Sequence, residues 1–476
     1  MRERDAVVVG SGPNGLAAAV ALARAGLSVL VVEGADTVGG GARSAALTLP
    51  GFTHDVCSAV YPMGAASPFL RSLPLDRFGL EWAHPPVPLA HALDGGAAAV
   101  LDRSVEATAD RLGPDAAAYR RLMTPLVRAA DGLFADLLGP PFSIPRHPLA
   151  ALRFGVPGLR SGRGFAEAYF RTPEARALWA GVAAHAVIPL ESRPGAAVAL
   201  MLALAGHTHG WPVARGGAQT VSDALAGYFR SLGGEIETGR WVRSLADLPP
   251  AKAVLFDTTP RQLVAIAGDH LPAGYVRRLA KYRHGPGVFK VDWALSGPVP
   301  WTAPECRGAG TVHLGGTLDE VAAAEQAPFA GTHADRPFVL FVQPSVADPS
   351  RAPAGKHAAW GYCHVPHGST EDALSRVEAQ VERFAPGFRD VVIGRHVMNT
   401  AAMERYNPNY VGGDISGGVT DLWQLFTRPV ASLDPYRTPN PQLWLCSSST
   451  PPGGGVHGMC GWAAARSVLR RLGGNA

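Results

Sequence analysis

Apolar positions along this chain follow two different periods, and the places where one gives way to the other mark the elements. Residues 5–33 read DAVVVGSGPNGLAAAVALARAGLSVLVVE, opening on an unbroken apolar run from Ala6 to Val9, the pattern of a strand buried on both faces of a parallel sheet. A helical stretch is predicted from Leu16 to about Ala25, then a stop at Gly26 and a second strand from Ser28 to Val32, ending at Glu33. From Val213 the chain reads VARGGAQTVSDALAGYFRSLGGEIETGRWVRSL: a turn at Arg215, Gly216 and Gly217, an amphipathic helix from Thr220 to Leu232, a stop at Gly233 and Gly234. Alternation from Glu235 to Leu245 predicts the exposed strands of a hairpin, and Lys252 to Pro260 a buried strand. Near the C-terminus, Leu443 to Cys446 is a last strand, Gly453 to Gly455 a turn, and about Gly458 to Leu472 a helix. In between, residues 104–205 read largely as helices broken by LGPPFSIPRHP. Val288 to Leu295 and Phe338 to Gln343 alternate like strands, and Thr370 to Phe384 reads as an amphipathic helix.

Composition narrows the class. A length of 476 residues predicts two domains, or one large nucleotide-binding domain with a substantial insertion. Apolar residues at 47% against 17% charged argue against disorder, and 56 glycines with 41 prolines and no period indicate tight turns. The net charge of +4 is spread over 43 basic and 39 acidic residues without a basic block, so no nucleic-acid partner is expected. MRERDAVVVGSG enters a strand directly, with no apolar signal core, which predicts a cytoplasmic protein. The longest apolar stretch, Ala196 to Ala205, is about half of the roughly 20 residues a membrane-spanning helix needs. Five cysteines at 57, 306, 363, 446 and 460 form no Cys-x-x-Cys pair or zinc-type cluster, so no metal is expected and reduced, packed thiols account for them.

The candidate chemistry lies in the glycines. Gly10, Gly12 and Gly15 have the Gly-x-Gly-x-x-Gly spacing between a strand and a helix. The first allows the tight turn, the second a close approach of the backbone to a pyrophosphate, the third close helix–strand packing, while the helix N-terminus offers free N–H groups. Glu33 lies about 20 residues on, where a carboxylate accepts from a ribose 2′-hydroxyl and repels a 2′-phosphate. FAD and NAD remain open at this point. A second glycine cluster, Gly39, Gly40 and Gly41, followed by Ala42, Arg43 and Ser44, suits a longer dinucleotide whose second phosphate needs backbone amides and an arginine. The glycine turn and helix of SSSTPPGGGVHGMCGWAAARSVL, Ser447 to Leu469, suit the other end of that molecule: a helix N-terminus stabilises negative charge developing on a reduced flavin.

These blocks, VVGSGPNGLAAA, VGGGARS, GFTHDVCSAVYPMG, GWPVARGGAQTVSDAL, NPNYVGGDISGG and STPPGGGVHGMCGWAAA, run over nearly the whole chain. They resemble the FAD-dependent oxidoreductases of the phytoene-desaturase-like branch, within the wider amine-oxidase-like flavoproteins. The sequence is most similar to the subgroup named pyridine nucleotide-disulfide oxidoreductase domain-containing proteins. The resemblance implies an α/β fold, a Rossmann-type FAD-binding domain with a mixed α+β substrate domain inserted discontinuously: residues 1–90, 210–275 and 418–476 for FAD, 91–209 and 276–417 for the substrate. It implies pyrophosphate contacts at Gly10, Ser11, Gly12, Pro13, Asn14 and Gly15, a ribose contact at Glu33, and a second FAD contact at Gly39, Gly40, Gly41, Ala42, Arg43 and Ser44. Val242 falls where the backbone meets the adenine, and Gly455 and Val456 fall in the closing flavin motif. Relatives often carry arginine where this protein has Gly41, with Arg43 two places later.

For a flavin of this type the cofactor carries the hydride chemistry, and the protein positions the substrate and excludes water. The expected activity is desaturation, saturation or isomerisation of a lipophilic or small organic substrate. An amine oxidase, and a protein that keeps FAD without turnover, are the alternatives. Candidates to assist are His457 in the flavin turn, and Cys57 and Tyr61 after a strand expected to approach the flavin, for which packing is an equal account; His207 and His209 in GHTHGWP are further candidates, for which loop or core hydrogen bonding is the preferred account. Leu149 to Phe165 mixes arginines with apolar residues in a way that suits peripheral contact with a lipid surface, and an ordinary helix and loop explains the same pattern. The oligomeric state is left open.

Overall fold

The computed structural model describes residues 3–140 and 144–473. Its two principal sheets contain, in sequence order, β1 (Arg4–Val9), β2 (Val29–Val32), β3 (Val87–Ala92), β4 (Ala98–Leu101), β5 (Glu235–Glu237), β6 (Ala251–Phe256), β7 (Gly287–Leu295), β8 (Ala309–Leu314), β9 (Val339–Val342), β10 (His357–Val365), β11 (Val392–Met398) and β12 (Leu443–Leu445). The helices that shape the site are α1 (Pro13–Arg24), α2 (Pro148–Gly158), α3 (Pro173–Ala184), α4 (Gly195–Thr208), α5 (Gln219–Ser231), α6 (Leu374–Phe384), α7 (Leu422–Thr427) and α8 (Met459–Arg471).

The first sheet is all parallel in the order β12-β6-β1-β2-β5. The buried stretches of its central strands, Ala6–Val9, Val29–Val32 and Ala253–Phe256, are apolar because helices cover both faces, as a parallel sheet requires. In β1, Ala6 and Val8 point into one core while Val7 and Val9 point into another. The five strands come from residues 4–32, 235–256 and 443–445, so the sheet is assembled from widely separated segments. The second sheet, β11-β7-β10-β9-β8-β3-β4, is antiparallel except for the β8–β3 pair. The helices from residue 105 to 208 pack beside it. The expected boundary at residue 90 falls inside β3, a strand of this second sheet.

Three elements differ from their sequence expectation. Helix α1 begins at Pro13 rather than Leu16: Gly12 is its N-cap, and a proline at the first helical position needs no N–H partner. Residues 235–245 form no hairpin; Glu235–Glu237 lies parallel to β2 at the sheet edge and the polypeptide then turns at Gly239 (φ +69°). Alternation alone cannot distinguish a hairpin strand from an exposed parallel edge. Helix α6 starts at Leu374, because Asp372 Oδ1 accepts from Leu374 N–H and Ser369 Oγ from Glu371 N–H, side-chain bonds that compete with a helical turn. The break expected at 138–148 includes residues 141–143, which lie outside the described residues.

Helices α1 and α8 are packed close enough to share backbone contact. A Cβ on Gly461 would lie 1.8 Å from Asn14 O, so only glycine permits the approach. The N-terminal glycine loop and the C-terminal turn are thereby held against each other by the core.

Candidate functional site

A single cavity of about 580 Å³ runs from the end of the parallel sheet to the inner face of the second sheet. Gly12 and Val456, 444 positions apart in sequence, both line it. Its first part is built by the turn after β1. Gly10 adopts φ +98°, and its N–H donates to Val32 O (2.8 Å), which aims the backbone across the sheet end. A Cβ on Gly12 would lie 2.5 Å from Asp257 Oδ2, and one on Gly15 only 2.2 Å from Gly10 O. Gly40 approaches the same turn, its Cβ position 3.0 Å from Gly12 Cα. These are spaces that any side chain would fill, which is what a backbone cradle for phosphate needs.

Glu33 is fixed at the end of β2. Its Oε2 accepts from Ser11 N–H (2.9 Å) and Ser11 Oγ (2.6 Å), its Oε1 from Ala35 N–H (2.8 Å), and Arg43 Nη2 stands 3.3 Å away. Arg43 is itself buried and donates to Thr37 O (2.7 Å) and Val38 O (3.3 Å). Nearby, the backbone N–H and C=O of Val242 have no partner among the described residues, although Val242 lines the cavity and is nearly buried. A flat heteroaromatic edge fits such a pair. The buried Asn14 Oδ1 at the start of α1 is likewise without a partner.

Asp257, at the end of β6, faces this cradle and accepts from Gly15 N–H (2.8 Å). Burial pushes its carboxyl up to about 7; the Gly15 N–H opposes this and the Glu33 charge adds to it. At the other end, Gly455 (φ +125°), Val456 and His457 form the turn before α8. His457 is buried. Its Nδ1 accepts from Met459 N–H (3.1 Å), and its backbone carbonyl accepts from Ser67 Oγ (2.7 Å). Burial pulls its pKa down to about 4, so it is a neutral clamp of the turn.

The first residues of the sequence match the family model of an NAD(P)-binding Rossmann-like domain, over residues 8–73. Two curated relatives, from Rattus norvegicus and Mus musculus, are called pyridine nucleotide-disulfide oxidoreductase domain-containing protein 2. They are 27% and 28% identical over 99% of this chain and 94% of each relative. Among solved structures, an oxidoreductase from Methanosarcina mazei superposes with a TM-score of 0.66 at 16% identity, covering 98% of this protein and 100% of its own length. Cyclohexylamine oxidase from Brevibacterium oxydans superposes with a TM-score of 0.60 at 17% identity, covering 99% and 100%. The protein has the fold of these oxidoreductases.

Within that fold, the residues singled out from sequence divide into two groups. Gly10, Ser11, Gly12, Pro13, Asn14, Glu33, Gly40, Gly41, Arg43, Val242, Gly455 and Val456 line the cavity, as do Cys57, Tyr61 and His457. Gly15, Gly39, Ala42 and Ser44 do not, because their groups hold the wall from behind. Gly15 packs on Gly10; Gly39 N–H donates to Ser11 O; Ala42 O accepts from Ser222 Oγ; Ser44 Oγ donates to Asp55, which also accepts from Ala218 N–H at the start of α5. The missing arginine at Gly41 has a steric cause. A Cβ there would sit 2.2 Å from Tyr410 Oη, so in this protein tyrosine occupies the space.

Cys57 and Tyr61 are protonated groups. Burial raises both, and Tyr61 Oη is bonded to Ser58 Oγ (3.0 Å). His207 and His209 do not line the cavity: His207 Nε2 pairs with Tyr119 Oη (2.7 Å), and His209 Nδ1 with Thr208 Oγ1 (2.9 Å).

Sequence reading missed Asp257, the wall residues Trp211, Trp360 and Tyr362, and His185. It also missed Lys290, buried on β7 behind Trp360, with Nζ 2.5 Å from Asp292 Oδ1 and 5.4 Å from the Trp360 ring centre. Burial alone would raise the Asp292 carboxyl, but Lys290, His396 and His54 together outweigh it and the net direction is down. A lysine and an aspartate two apart on an apolar strand were the only signal for that pair. All five cysteines are free.

Proposed function

We propose that this protein is an FAD-dependent oxidoreductase that desaturates, saturates or isomerises a lipophilic or small organic substrate. The carrying observation is one cavity that joins the glycine cradle and Glu33 to the Val456 turn, and continues between apolar walls. Residues of 1–90, 210–275 and 418–476 would hold FAD: the Gly12 and Gly40 backbone along the pyrophosphate, Glu33 at the ribose, Val242 at the adenine, and Gly455 and Val456 at the flavin end. A nicotinamide dinucleotide would leave that last turn unused. Bound there, FAD would supply the hydride acceptor. The protein's own part is to orient substrate carbon and keep water out, which neutral Cys57, Tyr61 and His457 can do from the wall; His457 fixes the turn rather than carrying a proton.

Desaturation is favoured over amine oxidation by charge. The only carboxylates lining the cavity among the described residues are Glu33 and Asp257, both at the cradle, so a substrate ammonium would be desolvated without a counter-ion. The fold of cyclohexylamine oxidase is what supports the second reading, an amine oxidase.

The test is reconstitution of the purified protein with FAD. It should take up about one flavin per polypeptide, and anaerobic addition of a saturated precursor of an alkene product should bleach the flavin spectrum. Failure to bind FAD refutes the reading. Peroxide release from an amine panel, without bleaching by hydrocarbon precursors, replaces it with amine oxidation, and bound flavin that no donor reduces replaces it with a protein that carries FAD without turnover.

We also propose that the substrate reaches the cavity from a lipid surface through α2. Phe154 on this helix lines the cavity, while Leu149, Leu152, Val156 and Leu159 are exposed on its outer side and end beside Arg146, Arg153 and Arg160. Among the described residues no helix is long and apolar enough to cross a membrane.

A further inference from the structure

Where α2, α4 and the second sheet enclose the cavity, polar side chains are few, and one of them has an unusual support. His185 caps the end of α3 and lines the cavity against Trp211, the two rings edge to face at 5.8 Å. Its Nε2 lies 2.9 Å from Nε2 of His313, which is fully buried on β8. Behind His313 stands His91 on β3, equally buried, whose Nε2 lies 2.7 Å from Gly316 O. The ladder fits only because residue 181 of α3 is glycine, since a Cβ there would be 2.5 Å from Nδ1 of both His313 and His91.

The order of protons along the ladder follows from what each nitrogen meets. A carbonyl accepts, so His91 Nε2 carries its proton and its Nδ1 is a bare lone pair. His313 Nδ1 is buried with no partner. If it bore the proton, a buried N–H would be orphaned, which is rarer and costlier than an unused acceptor. His313 therefore carries its proton on Nε2 and donates to His185 Nε2, and the proton of His185 sits on Nδ1. That atom has no protein partner among the described residues. All three rings are neutral. Burial, and then nearby His364, brings His185 down to about 3; burial brings His91 to about 4 and His313 well below its ordinary value.

The backbone after His185 is strained. Val187 lines the cavity at φ +53°, the only non-glycine residue with positive φ among those described. For a β-branched residue this conformation is strained, and strain of this kind concentrates at ligand sites. Thr420 Oγ1 donates to Ala186 O (2.5 Å) and holds the segment in place.

We propose that His185 is a specificity-determining residue: its Nδ1–H, fixed by His313, donates a hydrogen bond to a neutral oxygen, carbonyl or ether in type, on an otherwise hydrocarbon substrate. A ring locked as a donor on this side cannot accept from an ammonium group, so the same device disfavours amines in their protonated form. This rests on the reading of the cavity as an oxidoreductase's substrate site.

The test is isothermal titration of the FAD-reconstituted protein, and of the apoprotein, with octan-2-one, oct-1-ene and octylamine. Octan-2-one should bind about tenfold more tightly than oct-1-ene, the scale of one hydrogen bond made in a dry site, with octylamine weakest. His185→Phe should reduce the ketone preference to less than twofold, and His185→Gln, which keeps a donor, should retain most of it. Gly181→Ala, which touches only the buried ladder, should weaken it. A preference that survives His185→Phe, equal binding of ketone and alkene by the wild type, or tightest binding of octylamine would each overturn the proposal. Failure to take up FAD would refute the functional reading while the ligand ratios still judge His185.

Discussion

At the scale of single residues, the most consequential group is Asp257, which sequence reading passed over as the end of a strand. Its carboxyl faces the glycine cradle, where two phosphates are proposed to lie, and burial raises it to about 7 from an ordinary 3.8. Because the folded value is the higher one, the contribution to stability is complete below about pH 4 and is lost as pH rises through 7. The charges facing it are Glu33, which pushes in the same direction, and the Gly15 and Gly12 N–H groups, which oppose it. Ionised Asp257 and a pyrophosphate repel one another at short range. FAD affinity is therefore expected to fall about tenfold or more between pH 6 and pH 8.5, measured by fluorescence titration of the apoprotein. Asp257→Asn, which retains the acceptor for Gly15 N–H without the charge, should make affinity nearly independent of pH. An unchanged pH profile in the variant would remove Asp257 from the account.

At the scale of elements, the glycine spacing was legible because glycine is informative wherever a backbone must approach another closely. The turn after β1 and the turn before α8 were both found that way. Side chains that reach the cavity from the second sheet were not, since Trp360 and Tyr362 lie on a strand whose apolar pattern is the same whether it faces a core or a cavity. His185 and His313 are 128 residues apart, and no local pattern relates them. Gly39, Ala42 and Ser44, expected from the motif beside Gly40 and Arg43, do not line the cavity and brace its loop, because a motif specifies a conformation and not which of its atoms face inward. The α1–α8 contact gives the element-scale prediction. Gly461→Ala would place a Cβ 1.8 Å from Asn14 O, a backbone atom that cannot move without shifting the cradle. The expected result is destabilisation of about 3 kcal/mol or more, seen as a lowered urea midpoint, together with loss of FAD uptake. Alanine tolerated at 461 with full FAD binding would separate the two ends of the site.

At the scale of the whole molecule, the two sheets divide the work. The parallel sheet offers its backbone to the proposed dinucleotide, while the second sheet and the helices from 105 to 208 wall the apolar remainder of the cavity. The outer side of that wall is apolar as well. On α2, Leu149, Leu152 and Val156 are 61%, 61% and 59% exposed, and on α7 Trp423 is 74% exposed, while Phe154 and Leu425 of the same helices line the cavity. Both helices flank the segment 193–197: Leu422 N–H donates to Arg193 O, and Gly158 packs at Ala197. An apolar exterior of this extent is unfavourable in water and favourable against acyl chains, and the arginines beside α2 add attraction to anionic headgroups. A hydrocarbon substrate dissolved in a bilayer would then pass from lipid to cavity without crossing water. Vesicles containing phosphatidylglycerol are therefore expected to sediment the protein, with weaker binding as salt is raised, while neutral vesicles bind it less. Replacing Leu149, Leu152 and Val156 together with serine should abolish sedimentation while leaving FAD content unchanged, since none of the three side chains lines the cavity. If the triple variant binds vesicles as the parent does, the apolar face of α2 serves some other contact, and the substrate must arrive from water.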